Sequence, residues 1–207
     1  MKRTAPPKTW NMFRAMGGVG ILCSLLIVFT YQVTLPTILR KKAEFLEKAI
    51  YKALPEAKTK KTFGVVDNKF ELLRDEEREG RKVYAGYDDQ GRLVGIVIEA
   101  RGQGFQDAIS IIYGYSPENQ TVVGMQVLES KETPGLGDKI EKDLAFLKNF
   151  EALDVSLAED GKSVQNPIEV VKQGTKEFPW QIDGITGATI SSKAIGKILK
   201  GSTAEMI

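Results

Sequence analysis

The chain has 207 residues, enough for one globular domain with an appendage. Its 29 basic and 27 acidic side chains leave a net charge of +2, which lacks the electrostatic footprint of a nucleic-acid binder. Histidine is absent and Cys23 is the sole cysteine. This chain alone therefore holds no His-based triad, common zinc site, histidine-ligated haem, intrachain disulfide or Cys-ligated cluster. No metal site is expected, and any redox chemistry must come from a bound group.

From Ala15 to Leu39 no residue is charged. A helix of that length reaches roughly 37 Å, more than the hydrocarbon core of about 30 Å. The run reads as one transmembrane helix over 15–37, after an N-terminal tail at 1–14. Arg14 and Arg40 mark its edges, with Trp10 and Tyr31 near the interfaces. A cleaved signal peptide fits less well, because FTYQVTLPT holds no small-x-small site. A lipoprotein signal fits poorly too, since Cys23 follows Leu22 inside the apolar run. Lys2, Arg3, Lys8 and Arg14 precede the span, and Arg40, Lys41, Lys42, Lys48 and Lys52 follow it. The positive-inside count is nearly balanced and leaves orientation open.

Residues 38–60 read as an amphipathic linker. Its helix presents Leu39, Ala43, Leu46, Ile50 and Ala53 on one face, with Pro36 kinking the junction and Pro55 ending it. The remaining domain, 61–207, opens with short β-branched or alternating runs at 63–66, 69–74, 82–87, 92–100, 108–115 and 120–129. Turn signals such as DDQGR and SPENQ separate them, which predicts an antiparallel, meander-like sheet. A helix is expected over 139–150, a last strand over 168–174, and a closing helix over 190–200 that Gly201 ends. The class is α+β behind one membrane anchor.

Three glycine-rich stretches interrupt these elements. GQGF at 102–105 reads as a hairpin loop, or as a place where backbone approaches a ligand. ETPGLGDKI at 132–140 predicts a Pro134-Gly135 turn, freedom at Gly137 and a helix cap at Asp138. It is equally readable as a plain strand-to-helix turn or as backbone amides presented to a polar ring or an anion. DGITGATISSK at 183–193 is not a phosphate loop of the nucleotide hydrolases, because Lys193 follows two serines. Gly187 and Ala188 leave room beside Thr189, and the helix that starts there offers unpaired N–H groups and partial positive charge, which suit a phosphate.

The stretch Asp183-Gly184-Ile185-Thr186-Gly187-Ala188-Thr189-Ile190-Ser191 resembles the flavinylation motif of the FMN-binding domain family, D-x-x-[S/T]-G-A-[S/T]-x-[S/T]. With GQGF and ETPGLG, it resembles in particular the G subunit of Rnf complexes, over nearly the full length. The resemblance implies an extracytoplasmic antiparallel-sheet FMN-binding domain with flanking helices, behind a single-pass anchor in the bacterial inner membrane. It implies FMN covalently bound through a phosphoester on Thr189, and a relay in a complex coupling electron transfer between ferredoxin and NAD to ion movement. It further implies a flavin transferase that recognises Asp183 and the small residues around it (Gly184, Thr186, Gly187, Ala188, Ser191).

Implied partners are that transferase, the other membrane subunits of the complex and membrane lipid. No catalysis by the chain alone and no catalytic residue are expected. Thr133, Gly135, Leu136 and Gly137 are expected to contact the ring or ribityl chain. Phe105, Phe178 or Trp180 is expected either to stack on the ring or to be ordinary core. The alternatives are a C-type subunit of Na⁺-translocating NADH:quinone reductase, a stand-alone flavin reductase, and a non-redox membrane-anchored assembly or sensing module.

Overall fold

The structure, a computed structural model, describes residues 9–66, 69–73, 82–159, 161 and 163–206. The tail before Thr9, and Arg74 at the end of the second expected strand, lie outside the described residues. The chain divides into two compact units, one running to Phe45 and the other from Leu46 onward.

Helix α1 (Thr9–Ala53) takes in both the apolar run and the amphipathic segment. It continues through Pro36, where the sequence suggests a kinked junction. It is long and apolar enough to cross a membrane, and none of its apolar window is buried by protein. Three hydroxyls of the apolar run bond back to its own carbonyls. Ser24 donates to the Gly20 carbonyl at 2.8 Å, Thr30 to Leu26 at 2.7 Å and Thr34 to Thr30 at 2.8 Å, so none needs water. The amphipathic face is buried only toward its end: Ala49, Ile50 and Ala53 are covered, whereas Leu39 is 58% exposed.

The second unit is built on a seven-stranded antiparallel sheet. Its strands are β1 (Thr59–Val66), β2 (Lys69–Leu72), β3 (Lys82–Tyr87), β4 (Leu93–Gln103), β5 (Ala108–Ser116), β6 (Thr121–Glu129) and β7 (Leu153–Asp154). Their order in the sheet is β2-β1-β3-β4-β5-β6-β7: β3 to β6 follow one another as the turn signals predict, whereas β1 departs from a meander by pairing with both β2 and β3, and the short β7 joins β6. Both faces of the central strands are covered. Val97 and Ile112 point to the end of α1, with Ile50, Leu54 and Tyr84. Ile98, Ile111 and Tyr113 point to the opposite core, with Phe146, Phe150, Ile195 and Leu199. This two-sided burial explains why β4 and β5 read as nearly continuous apolar runs. Each large apolar side chain buried here contributes roughly 1.5–3 kcal/mol.

Four neighbouring strands each give a glycine to the face beneath α1. Gly86 pairs with Gly95, and Gly114 with Gly124. A Cβ on Gly114 would lie 2.1 Å from the Ala53 carbonyl oxygen, and one on Gly124 would lie 2.6 Å from it. On Gly86 it would meet a Leu54 methyl at 2.5 Å. These bare positions let the last turn of α1 settle directly on the sheet backbone.

The far core is capped by α2 (Lys139–Lys142), α3 (Leu144–Lys148) and α4 (Thr189–Met206). The single helix expected over 139–150 is thus two. Asp143 adopts extended backbone and its carboxylate accepts from the Ala145 and Phe146 amides at 2.9 and 3.1 Å, capping α3 and ending α2. The last expected strand shortens to β8 (Glu169–Val171), and it pairs in parallel with β9 (Gln181–Asp183), which periodicity did not reveal. Gly201 does not end the closing helix, because α4 runs on to Met206 and buries Ser202 and Thr203.

Gly114→Ala should lower stability by about 1–3 kcal/mol through overpacking against Ala53. Gly201→Ala, in open space inside α4, should raise it by about 0.5–1 kcal/mol. Thermal unfolding of the purified full chain, followed by circular dichroism, checks both signs.

Candidate functional site

Helix α4 begins at Thr189, and a short tight loop delivers the chain to that point. Gly184 donates to the Val171 carbonyl at 3.0 Å, and a Cβ there would strike that oxygen at 2.8 Å. Gly187 has φ +83°, the left-handed region that favours glycine. The Ala188 amide donates to Ile185 O at 3.0 Å, and Ala188 O accepts from the Ser192 amide at 2.9 Å as the first helical bond. The buried Ser192 hydroxyl then closes the loop from inside, accepting from the Ile185 amide at 3.1 Å and donating to Ala188 O at 2.9 Å.

Thr189 is left exposed at the first helical position. The N–H groups of Thr189, Ile190 and Ser191 have no acceptor within the helix, and the helix dipole adds partial positive charge there.

Thr189 stands on the rim shared by two clefts. One, about 350 Å³, is lined by Phe105, Glu132, Thr133, Leu136, Gly137 and residues 187–191. Its apolar rim is open: Phe105 is 60% exposed, Leu136 52% and Ile190 57%. The other, about 670 Å³, is lined by β8, the loop after it and the outer side of α4, including Lys172, Gln173, Gly184, Thr186 and Lys193. The first falls at the lower end of ordinary small-molecule sites and has their mix of apolar wall and few polar groups.

All three glycine-rich stretches meet in the first cleft, and they meet at Glu132, a residue only 6% exposed. Oε1 accepts from the Phe105 amide at 2.8 Å and the Gln106 amide at 3.1 Å, while Oε2 accepts from the Ser191 hydroxyl. Glycines make room for it. A Cβ on Gly104 would come within 2.6 Å of Oε1, and one on Gly137 within 2.7 Å of Oε2. Next to it, Thr133-Pro134-Gly135-Leu136 forms the expected turn. Leu136 N donates to Thr133 O at 3.1 Å and Gly135 has φ +80°, the type II pattern with proline second and glycine third. The Thr133 hydroxyl accepts from Gln106 Nε2 at 2.9 Å.

Asp138 does not cap α2 as expected. Its carboxylate reaches back to the Gly135 amide at 2.7 Å and forward to Lys142 Nζ at 2.5 Å, so it braces the turn instead. The hydrogen bond from Lys142 holds this carboxyl below its usual range. The brace is therefore complete above the ordinary aspartate pKa and is lost as pH falls through the depressed one.

Of the expected site residues, Thr133, Leu136, Gly137, Gly187, Ala188, Thr189 and Ser191 line the first cleft, whereas Gly184 and Thr186 line the second. Gly135 serves the turn. Asp183 lines neither cleft: its carboxylate accepts from the Gly174 amide at 2.7 Å, and Asn149 grips its backbone at 3.0 and 3.2 Å. Phe178 and Trp180 stack on each other, with centroids 4.7 Å apart and planes 5° apart, so of the three candidate aromatics only Phe105 faces the cleft. Sequence reasoning missed Glu132 and Ser192. Glu132 stands at the head of ETPGLG, and that position is its only sequence signal.

The family model described as an FMN-binding domain matches residues 104–202, which hold both this helix start and the Glu132 turn. The G subunit of an ion-translocating oxidoreductase complex from Methanosarcina acetivorans is 30% identical over 185 residues, spanning 86% of this chain and 83% of that one. The G subunit of the Na⁺-translocating ferredoxin:NAD⁺ oxidoreductase complex of Acetobacterium woodii is 31% identical over 126 residues, 60% of this chain and 55% of that one. The crystal structure of Shewanella oneidensis NqrC superimposes with a TM-score of 0.62 at 18% identity, covering 79% of this chain and 93% of that one, a likeness of fold. The chain belongs to the family formed by the G subunits of ion-translocating oxidoreductase complexes. With one helix, among the described residues, long and apolar enough to cross a membrane, it is a single-pass membrane protein.

Gly137→Ala should destabilise the second unit by about 1–3 kcal/mol, because its methyl group would push on both Glu132 and Ser191. Chemical denaturation followed by tryptophan fluorescence measures this.

Proposed function

We propose that this chain is the electron-carrier subunit of a membrane-bound ion-translocating ferredoxin:NAD oxidoreductase complex, and that FMN is joined through its phosphoryl group to Thr189. The observation that carries the reading is the setting of Thr189: an exposed hydroxyl at the start of α4, beside amides without helical acceptors, on the rim of an apolar cleft. The residues present fit the group. Thr189 Oγ1 would carry the ester, and the amides at 189–191 would face the phosphoryl oxygens. Phe105, Leu136 and Ile190 offer apolar surface suited to a flat ring, and Thr133 and Gly137 offer polar and bare-backbone contacts.

When bound, FMN supplies the redox chemistry, and the protein supplies position and electrostatics. Glu132, Ser191 and Ser192 hold the start of α4, so the attachment point is fixed before any flavin arrives. The short type II turn keeps Leu136 at the rim. A covalent tether retains the flavin on the extracytoplasmic side, where we place this domain. The open apolar rim leaves a route for electrons to neighbouring membrane subunits of the complex. A flavin transferase installs the group, and membrane lipid surrounds the apolar stretch of α1. Similarity to the quinone-reductase protein lies at the level of fold, and the sequence match favours the G subunit.

Native expression with the transferase should give a fluorescent band on denaturing electrophoresis and an FMN mass increment on the peptide holding Thr189. Thr189→Ala should abolish both, and Thr189→Ser should retain a measurable share of the label, because it keeps the hydroxyl. A Thr189→Ala chain as fluorescent as wild type refutes the site. For the topology, an impermeant protease added to spheroplasts should degrade the domain, and full protection would reverse the orientation.

A further inference from the structure

The arrangement around Glu132 exceeds what a turn needs. A carboxylate taken out of water must be supplied with donors, and charge-assisted bonds to backbone amides are among the strong ones. Glu132 receives such bonds from two adjacent amides of the β4–β5 loop through Oε1, and a hydroxyl from the first turn of α4 through Oε2. Gly104 and Gly137 have no Cβ where this side chain lies. The same side chain lines the cleft that Thr189 overlooks, two residues before Ser191. It therefore touches all three glycine-rich segments from one buried position.

We propose that Glu132 is the positioning residue of the flavin site: its carboxylate locks the Phe105 loop and the start of α4 together, and brings a fixed negative charge to the wall of the cleft beside Thr189. This rests on the reading of Thr189 as the flavin attachment point. Two consequences follow from the one side chain. Geometrically, losing the carboxylate frees the Phe105 and Gln106 amides and the Ser191 hydroxyl, so the loop and the helix start separate. Electrostatically, a negative charge in a low-dielectric wall opposes the added negative charge of a reduced flavin and lowers its midpoint potential.

Glutamine separates the two effects. Its amide oxygen still accepts from the Phe105 and Gln106 amides, and its NH₂ group donates to the Ser191 oxygen, which reverses its role. E132Q thus keeps the connections and removes the charge, whereas E132A removes both.

The test uses the full chain in detergent. In chain made without the transferase, hydrogen–deuterium exchange of the peptide holding Phe105 and Gln106 should be faster by about tenfold or more in E132A and close to wild type in E132Q. In chain made with the transferase, flavin on Thr189, counted by mass, should fall sharply in E132A and persist in E132Q. The midpoint potential of the loaded E132Q flavin should be higher than that of wild type. Unchanged exchange and loading in E132A overturn the proposal, as does an unchanged midpoint in E132Q. If the wild-type chain carries no flavin on Thr189, the attachment reading fails, and the exchange comparison still decides whether Glu132 holds the loop to the helix.

Discussion

A buried carboxylate cannot be left without hydrogen-bond donors, and at Glu132 that requirement organises the candidate site. Its donors come from the β4–β5 loop and from the first turn of α4, segments far apart in the chain. Meeting the requirement draws those segments onto the turn after Glu132 and closes one wall of the cleft. The position of Thr189 follows, because Ser191 is anchored from outside the helix while Ser192 staples the loop from within. Holding a helix start from both sides leaves the first residue exposed without leaving it loose.

The sheet beneath solves a different problem. Its central strands are buried on both faces, so a helix must come close to each side. On the α1 side the strands yield by omission, with glycines on β3 to β6 forming a bare floor under Ala53 and Leu54. On the other side α4 packs on β4, and a Cβ on Gly102 would meet the Ile198 side chain at 2.5 Å. GQGF therefore has two separate tasks: Gly102 admits α4 to the sheet, and Gly104 admits Glu132. In the apolar part of α1, whose window is not buried by other described residues, Ser24, Thr30 and Thr34 turn their hydroxyls back to helix carbonyls, as suits a chain that must satisfy its own polar groups.

Much of this was legible beforehand wherever the physics is local. The uncharged stretch from Ala15 to Leu39 needs only its length to be read. Six strand runs show through β-branched patterning and intervening turns, and Pro134-Gly135 specifies its turn by steric rules alone. The motif at 183–191 is contiguous, so its resemblance to the FMN-binding family is visible without any fold. Misreadings occurred where a residue had two local options. Asp138 reads as the cap of one long helix, but Lys142 and the Gly135 amide occupy it, and Asp143, inside that expected helix, ends α2 and caps α3. Gly201 resembles a helix stop, yet burial of Ser202 and Thr203 carries α4 onward.

By itself, then, the sequence determined the membrane-crossing helix, the α+β class, the glycine-rich turns and the motif around Thr189, since each is written in neighbouring residues. Tertiary structure alone decided which glycines face α1, that β8 and β9 pair in parallel, that Phe105 rather than Phe178 or Trp180 faces the cleft, and that Glu132 forms part of its wall. The physical reason is that a buried polar group and a close backbone approach are defined by their partners. Those partners lie 26 to 59 positions away from Glu132 in the chain, a separation that no local pattern records.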